Sequence, residues 1–139
     1  MIALHKHEDF ILLYHDKEIG KSDRVIGSYN VITCDLEIYV KFGYTANELL
    51  SITKLLKENT KDVSRDSNIS YTQILADTYI FHDEYSHLYA VFKDRYLEFF
   101  ANGFSYTISD LEQIGEHLQE IEKKLGVRAD RAYGMVILE

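Results

Sequence analysis

The sequence predicts an α+β fold: one antiparallel sheet of about six strands with two helices on one face, built as two strand-strand-helix repeats related by a pseudo-two-fold axis. Three observations carry that prediction. Residues 36–42 alternate strictly, with Leu36, Ile38, Val40 and Phe42 on one side and Glu37, Tyr39 and Lys41 on the other, which is the period of a half-buried strand. Two helix starts share one signature, Thr45 with Glu48 three residues on and Thr107 with Asp110 three residues on, the pattern of a capping box. The segments around those starts also align. Phe42-Gly43-Tyr44-Thr45 lies against Phe104-Ser105-Tyr106-Thr107 at an offset of 62, which continues to Leu56 against Leu118.

Taken in order, residues 1–9 read as a polar N-terminal tail in which His5, His7, Glu8 and Asp9 are scattered without a packing role. Phe10 to Tyr14 is an apolar run that predicts a buried strand, closed by His15-Asp16-Lys17-Glu18 and a turn at Gly20 to Arg24. Val25 to Phe42 reads as one extended stretch. The first helix runs from the Thr45 cap to about Asn59 with Leu49, Ile52 and Leu56 as its stripe, and Tyr44 staples its entry against Leu49. A polar loop at Thr60 to Asn68 leads into Ile69 to Ala76, an irregular approach to the next strand.

Tyr79 to Phe81 is again strand-like, and Leu88 to Phe92 with Arg95 to Phe100 form a hairpin broken at Lys93-Asp94. The second helix starts at Thr107 and carries Ile108, Leu111, Ile114, Leu118, Ile121 and Leu125 on one face. Lys123 and Lys124 suit its C-terminal dipole, and Gly126 suits the position after its end. Tyr133 to Leu138 is apolar enough for an interior strand. At 139 residues the chain reads as a single domain, with a first repeat at about 10–60, a second at about 78–126 and a C-terminal strand at 132–138. A ferredoxin-like variant is the alternative architecture.

Charge narrows the function classes. Asp plus Glu number 23 against 15 Lys plus Arg, a net charge of −8, which disfavours gripping nucleic-acid phosphates or an anionic membrane. No apolar run reaches the roughly 20 residues that span a bilayer, and the N-terminus lacks a secretory pattern. The lone Cys34 makes no internal disulfide, and Asp35 beside it works against a reactive thiolate. The expectation is a soluble cytoplasmic protein.

The recurring polar element is His15-Asp16 and His82-Asp83, each following an aromatic residue. Paired imidazoles and carboxylates can bind a metal or move protons. Adjacent residues on a strand point to opposite faces, however, so the favoured reading treats both dipeptides as polar strand ends, well separated, with no catalytic site and no cofactor. Tyrosine is frequent at 11 residues. Tyr39 beside Glu37, and Tyr85, Tyr89 and Tyr96 beside Glu98, form the candidate binding face, because tyrosine couples large contact area to a polar tip. The sequence thus predicts a non-enzymatic protein-binding module, a small acidic inhibitor or immunity-type protein of the kind mobile elements carry. Another protein is its expected partner, and self-association as a homodimer is plausible. The alternatives are a binder of small nucleotide-like ligands and, behind that, a hydrolase using the His-Asp pairs.

Overall fold

The computed structural model describes residues 2–15, 25–39, 44–61, 68–93, 96–100 and 106–126. Four strands precede each helix. β1 (Ile2–His7), β2 (Phe10–His15), β3 (Val25–Asn30) and β4 (Asp35–Ile38) lead to α1 (Ala46–Asn59). β5 (Ser70–Leu75), β6 (Thr78–His82), β7 (Leu88–Lys93) and β8 (Tyr96–Phe99) lead to α2 (Ile108–Leu125). The strands form two antiparallel four-stranded sheets, in the orders β1-β2-β3-β4 and β5-β6-β7-β8. The α+β class stands, and the expectation of about six strands in one sheet is corrected to eight strands in two sheets among the described residues. Three of them are new: β1 in the N-terminal segment, β5 where residues 69–76 were expected to be irregular, and one from a break in the 25–42 stretch. β1 pairs with β2 from Ile2↔His15 to His7↔Phe10, so the supposed tail is an edge strand whose exposed His5, Lys6 and His7 disguised it. Asn30 ends β3 by accepting from the backbone N–H groups of Ile32 and Thr33, an Asx turn that starts the reversal into β4. The expected turn at 20–24 and the strand at 133–138 lie outside the described residues.

The central strand pair of each sheet carries a bulge at the equivalent place, while the β5–β6 pair has a further shift between Gln73 and Leu75 that β1–β2 lacks. In the first, Leu13 faces Gly27 and Tyr14 faces Val25, leaving Ile26 bulged. In the second, Phe81 faces Ala90 and His82 faces Leu88, leaving Tyr89 bulged. A bulged residue leaves the ladder, turns its side chain and frees its carbonyl. Both carbonyls are received in the same way. The Tyr44 hydroxyl donates to Ile26 O at 3.0 Å and the Tyr39 N–H donates to it at 3.0 Å. The Tyr106 hydroxyl donates to Tyr89 O at 2.9 Å and the Phe100 N–H at 3.0 Å. Burial pushes both phenol pKa values up, with neighbouring carboxylates adding to the rise, so both remain protonated donors.

The same tyrosines tie the halves together. Tyr106, ahead of α2, exchanges two backbone hydrogen bonds with Leu36 of β4, at 2.7 and 3.1 Å. Tyr44, ahead of α1, exchanges two with Leu97 of β8, at 3.2 and 3.3 Å. Each half thereby lends a residue to the exposed edge of the other's sheet. The Tyr44 ring meets Phe99 edge-on at 5.6 Å, and Phe99 meets Tyr106 at 5.2 Å, so one aromatic cluster spans the junction and the buried core runs through both halves.

Both capping boxes form as the sequence predicts. Thr45 Oγ1 accepts from Glu48 N while Glu48 Oε1 accepts from Thr45 N, and Thr107 and Asp110 make the same exchange; a cap of this kind is worth about 1 kcal/mol. Leu49, Ile52 and Leu56 of α1 and Leu111, Ile114, Leu118 and Ile121 of α2 are fully buried, each contributing about 2 kcal/mol by leaving water. The helices pack on one another in antiparallel sense. Lys57 near the end of α1 pairs with Glu112 near the start of α2 at 2.8 Å, and Glu122 near the end of α2 accepts from the Ala46 N–H at the start of α1 at 3.1 Å. Gly115 permits the close approach, since a Cβ there would lie 3.0 Å from Leu50. Among the described residues no helix is long and apolar enough to cross a membrane.

Two predictions follow from this packing. Tyr44→Phe and Tyr106→Phe each remove one buried donor from a carbonyl that keeps a second partner, so each should destabilise by about 1 kcal/mol in urea unfolding, alike in the two halves. Glu122 is 3% exposed and its Oε1 has no hydrogen-bond partner. Burial pushes its pKa above the ordinary value and the Glu48 charge adds to the rise, against the lowering effect of the Ala46 N–H. A carboxyl raised on folding contributes most below its unfolded pKa, and that contribution is lost as pH rises through the folded pKa. Glu122→Gln keeps an oxygen for Ala46 and removes the buried charge, so it should melt higher than wild type at neutral pH and flatten the pH dependence. Equal melting temperatures at neutral pH would count against this account.

Candidate interaction site

The outward face of the second sheet follows from its register. Tyr71, Phe81, Ala90 and Phe99 stand in one row and face the core, as do Tyr79, Phe92 and Leu97 in the next. By the alternation of strands, Thr72, Ile80, Val91 and Glu98 form a row on the opposite face, and Ser70, His82 and Leu88 form another. Glu98 is exposed, Ile80 and Val91 are half-buried, and Leu88 is an exposed large apolar residue. The same position in the first sheet, opposite Ser28, is held by Glu37, also exposed.

At one end of this face, the β6–β7 connection spans residues 83–87. Asp83 organises it. Its Oδ1 accepts from the backbone N–H groups of Tyr85 and His87, both at 2.9 Å, and its Oδ2 accepts from His87 Nδ1 at 3.0 Å. Asp83 N donates to His87 O and Ser86 N donates to Asp83 O, while Ser86 takes the left-handed conformation at φ 67°. Burial alone would raise the Asp83 carboxyl, but the hydrogen bonds from His87 and Tyr85 outweigh it and hold its pKa below 3.8. The base of the loop is pinned by His82, whose Nδ1–H donates to Asp83 O at 3.0 Å, leaving Nε2 to accept from the Thr72 hydroxyl at 2.8 Å. Asn68 Nδ2 donates to Glu84 at 3.0 Å. What the loop presents is Tyr85, 74% exposed, its ring 6.3 Å from that of His87.

The sequence-derived candidates therefore separate. Tyr85, Glu98 and Glu37 are exposed, with Tyr85 in the β6–β7 loop, Glu98 in β8 of the second sheet and Glu37 in β4 of the first. Tyr89 is corrected from a surface residue to a buried one, because the bulge turns it toward Tyr106, whose ring lies 5.7 Å away. Tyr39 is half-buried and packs on the core, since the chain leaves the β4 alternation after Ile38. The side chain of Tyr96 lies outside the described residues. So do Asp16 and the side chain of His15.

The two His-Asp dipeptides are not register partners: the position of His82, opposite Leu88, is held in the first sheet by Tyr14, opposite Val25. The Asp83 carboxylate bonds His87 rather than His82, so in the second dipeptide it holds the loop and does not orient the His82 ring. Among the described residues no group of three or more His, Cys, Asp or Glu side chains is placed to hold a metal ion. The signal that pointed to this loop was present in the sequence: an Asp followed by four polar or aromatic residues between two strands is an Asx-turn pattern.

Asp83→Ala removes all three carboxylate bonds, and should cost about 2 kcal/mol while releasing the loop. A carboxyl lowered on folding stabilises above its unfolded pKa, and that contribution is lost as pH falls through the folded pKa. Wild type should therefore lose this margin only in acid, below the ordinary aspartate value of 3.8, and the variant should lack that step in its stability profile.

The chain matches no known protein family, and neither the comparison with curated proteins nor that with solved structures finds a match.

Proposed function

We propose that this chain is a non-enzymatic protein-binding module, a small acidic inhibitor or immunity-type protein, that docks through the outward face of its second sheet with Tyr85 as the anchor. The observation that carries this reading is a large aromatic side chain, 74% exposed, on a loop whose backbone is held by Asp83. Ordering a loop on binding costs free energy, and a loop already held by hydrogen bonds avoids that cost. Leu88, Ile80 and Val91 supply apolar surface on the outward face of the same sheet. Glu84 and Glu98, within a chain of net charge −8, favour a basic partner surface and speed its approach. A cytoplasmic partner suits a chain with a single cysteine.

The same reading takes the chain as a duplicated four-strand-and-helix unit with pseudo-two-fold symmetry. The equivalent bulges in β2–β3 and β6–β7 and the reciprocal tyrosine bridges support it. Duplication leaves one copy free to diverge, and the Asp83 loop is where the second half carries its exposed aromatic.

The test is capture from a host lysate at moderate salt, followed by titration of the captured protein. Tyr85→Ala should weaken binding about thirtyfold, roughly 2 kcal/mol, as a central aromatic anchor does, with an unchanged melting temperature. Failure to retain any protein, or equal affinity for the variant, would overturn the proposal.

A further inference from the structure

β1 and β5 hold the same place in their sheets, each the edge strand opposite the bridged edge. Their side chains differ in the property that controls edges. β1 carries His5, Lys6 and His7, all exposed, and a lysine on an edge strand discourages another strand from pairing with it. β5 reads Ser70-Tyr71-Thr72-Gln73-Ile74-Leu75 and carries no charged side chain. Among the described residues no strand pairs with its outer edge. Ile74 is 54% exposed and Leu75 62%, the bulge between Gln73 and Leu75 having set Ile74 off the ladder. The strand is nonetheless firmly placed: Ile69, just ahead of it, donates to Gln113 Oε1 and accepts from His117 Nε2, and Lys124 donates to the Tyr71 hydroxyl. It is a fixed, uncharged template of backbone donors and acceptors.

We infer that β5 is the self-association edge of this protein, pairing antiparallel with β5 of a second copy about a two-fold axis at Thr72. Two copies of a chain with net charge −8 repel, and an edge without charge is where they approach at least cost. A two-fold axis normal to the sheet requires opposite residues to share a face. The axis at Thr72 satisfies this, placing Thr72 against its own copy and Tyr71 against Gln73, within the part of β5 ahead of the bulge. Thr–Thr pairs across a strand boundary are favourable. The pairing joins the two β5–β8 sheets into one continuous sheet and leaves Tyr85, in the loop beyond β6, outside the contact.

Sedimentation equilibrium of the full chain across the micromolar to submillimolar range tests this, together with hydrogen exchange at Ser70–Gln73. Wild type should show a reversible monomer–dimer equilibrium, with β5 amides protected in step with dimer formation. Thr72→Lys and Thr72→Glu, each alone, should weaken dimerisation about fivefold or more through like-charge contact, and an equimolar mixture of the two should restore association as a mixed dimer. Ile32→Lys, at an exposed turn of the first sheet, and Tyr85→Ala should dimerise as wild type does. A wild type that stays monomeric, single-charge variants that associate undiminished, or a mixture that fails to recover would each overturn the inference. Concentration-independent protection of β5 would overturn it too, because it would place a segment of the same chain, rather than a second copy, on that edge.

Discussion

In each half of this protein a bulged residue gives up its place in the ladder, and its carbonyl must find donors in a buried setting. An unpaired buried carbonyl is costly. Tyr44 and Tyr106 resolve the problem from the residue just before a helix cap, each with its hydroxyl on the bulge carbonyl of its own half. Because the same tyrosines bridge to Leu97 and Leu36 of the opposite half, the local bond and the long-range one constrain each other. The cap sets where the helix begins, the hydroxyl sets where that cap lies on its own sheet, and the bridge sets how the two sheets meet. Most of the remaining core, from the Phe99 ring between the tyrosines to the antiparallel helix pair, is arranged around that lock.

The helix pair shows where the two halves differ. α1 and α2 share the capping box and the apolar stripe, but only α2 carries Glu122, a buried carboxylate set against the first turn of its neighbour. A carboxylate near a helix N-terminus is favourable in water and much less so when desolvated beside a second carboxylate, Glu48. Its Oε1 is left without a partner. The second half also places His117 and Gln113 of α2 on the main chain at Ile69, holding the entry to β5.

The proposed docking surface lies in the second half for a local reason. The loop 83–87 is short, and Asp83 spends its carboxylate on the loop's own backbone. That leaves Tyr85 exposed, with the ring of His87 as its neighbour. Loops on a rigid scaffold are where binding residues concentrate, and the sheet beneath supplies the scaffold.

Local chemistry determined the helices. A threonine, an acid three residues later and leucines at three-four spacing define a start and a face without help from the rest of the chain, and both helices lie where Thr45 and Thr107 put them. The alternation at Leu36, Glu37 and Ile38 likewise marked β4 and placed Glu37 outward, and the exposed Tyr85 and Glu98 were identifiable as candidates. The bulges were not legible, because a bulge depends on how two strands register and neither strand's pattern announces it. Tyr89 was misplaced for that reason, as was the equivalence of the two His-Asp dipeptides. β1 was missed because an edge strand with few buried side chains has little apolar period to read. The pairing of Leu36 with Tyr106 and of Leu97 with Tyr44 joins residues far apart in sequence. Only the tertiary structure decided it, since hydrogen-bond partners across that separation are chosen by which edges the folded halves bring together.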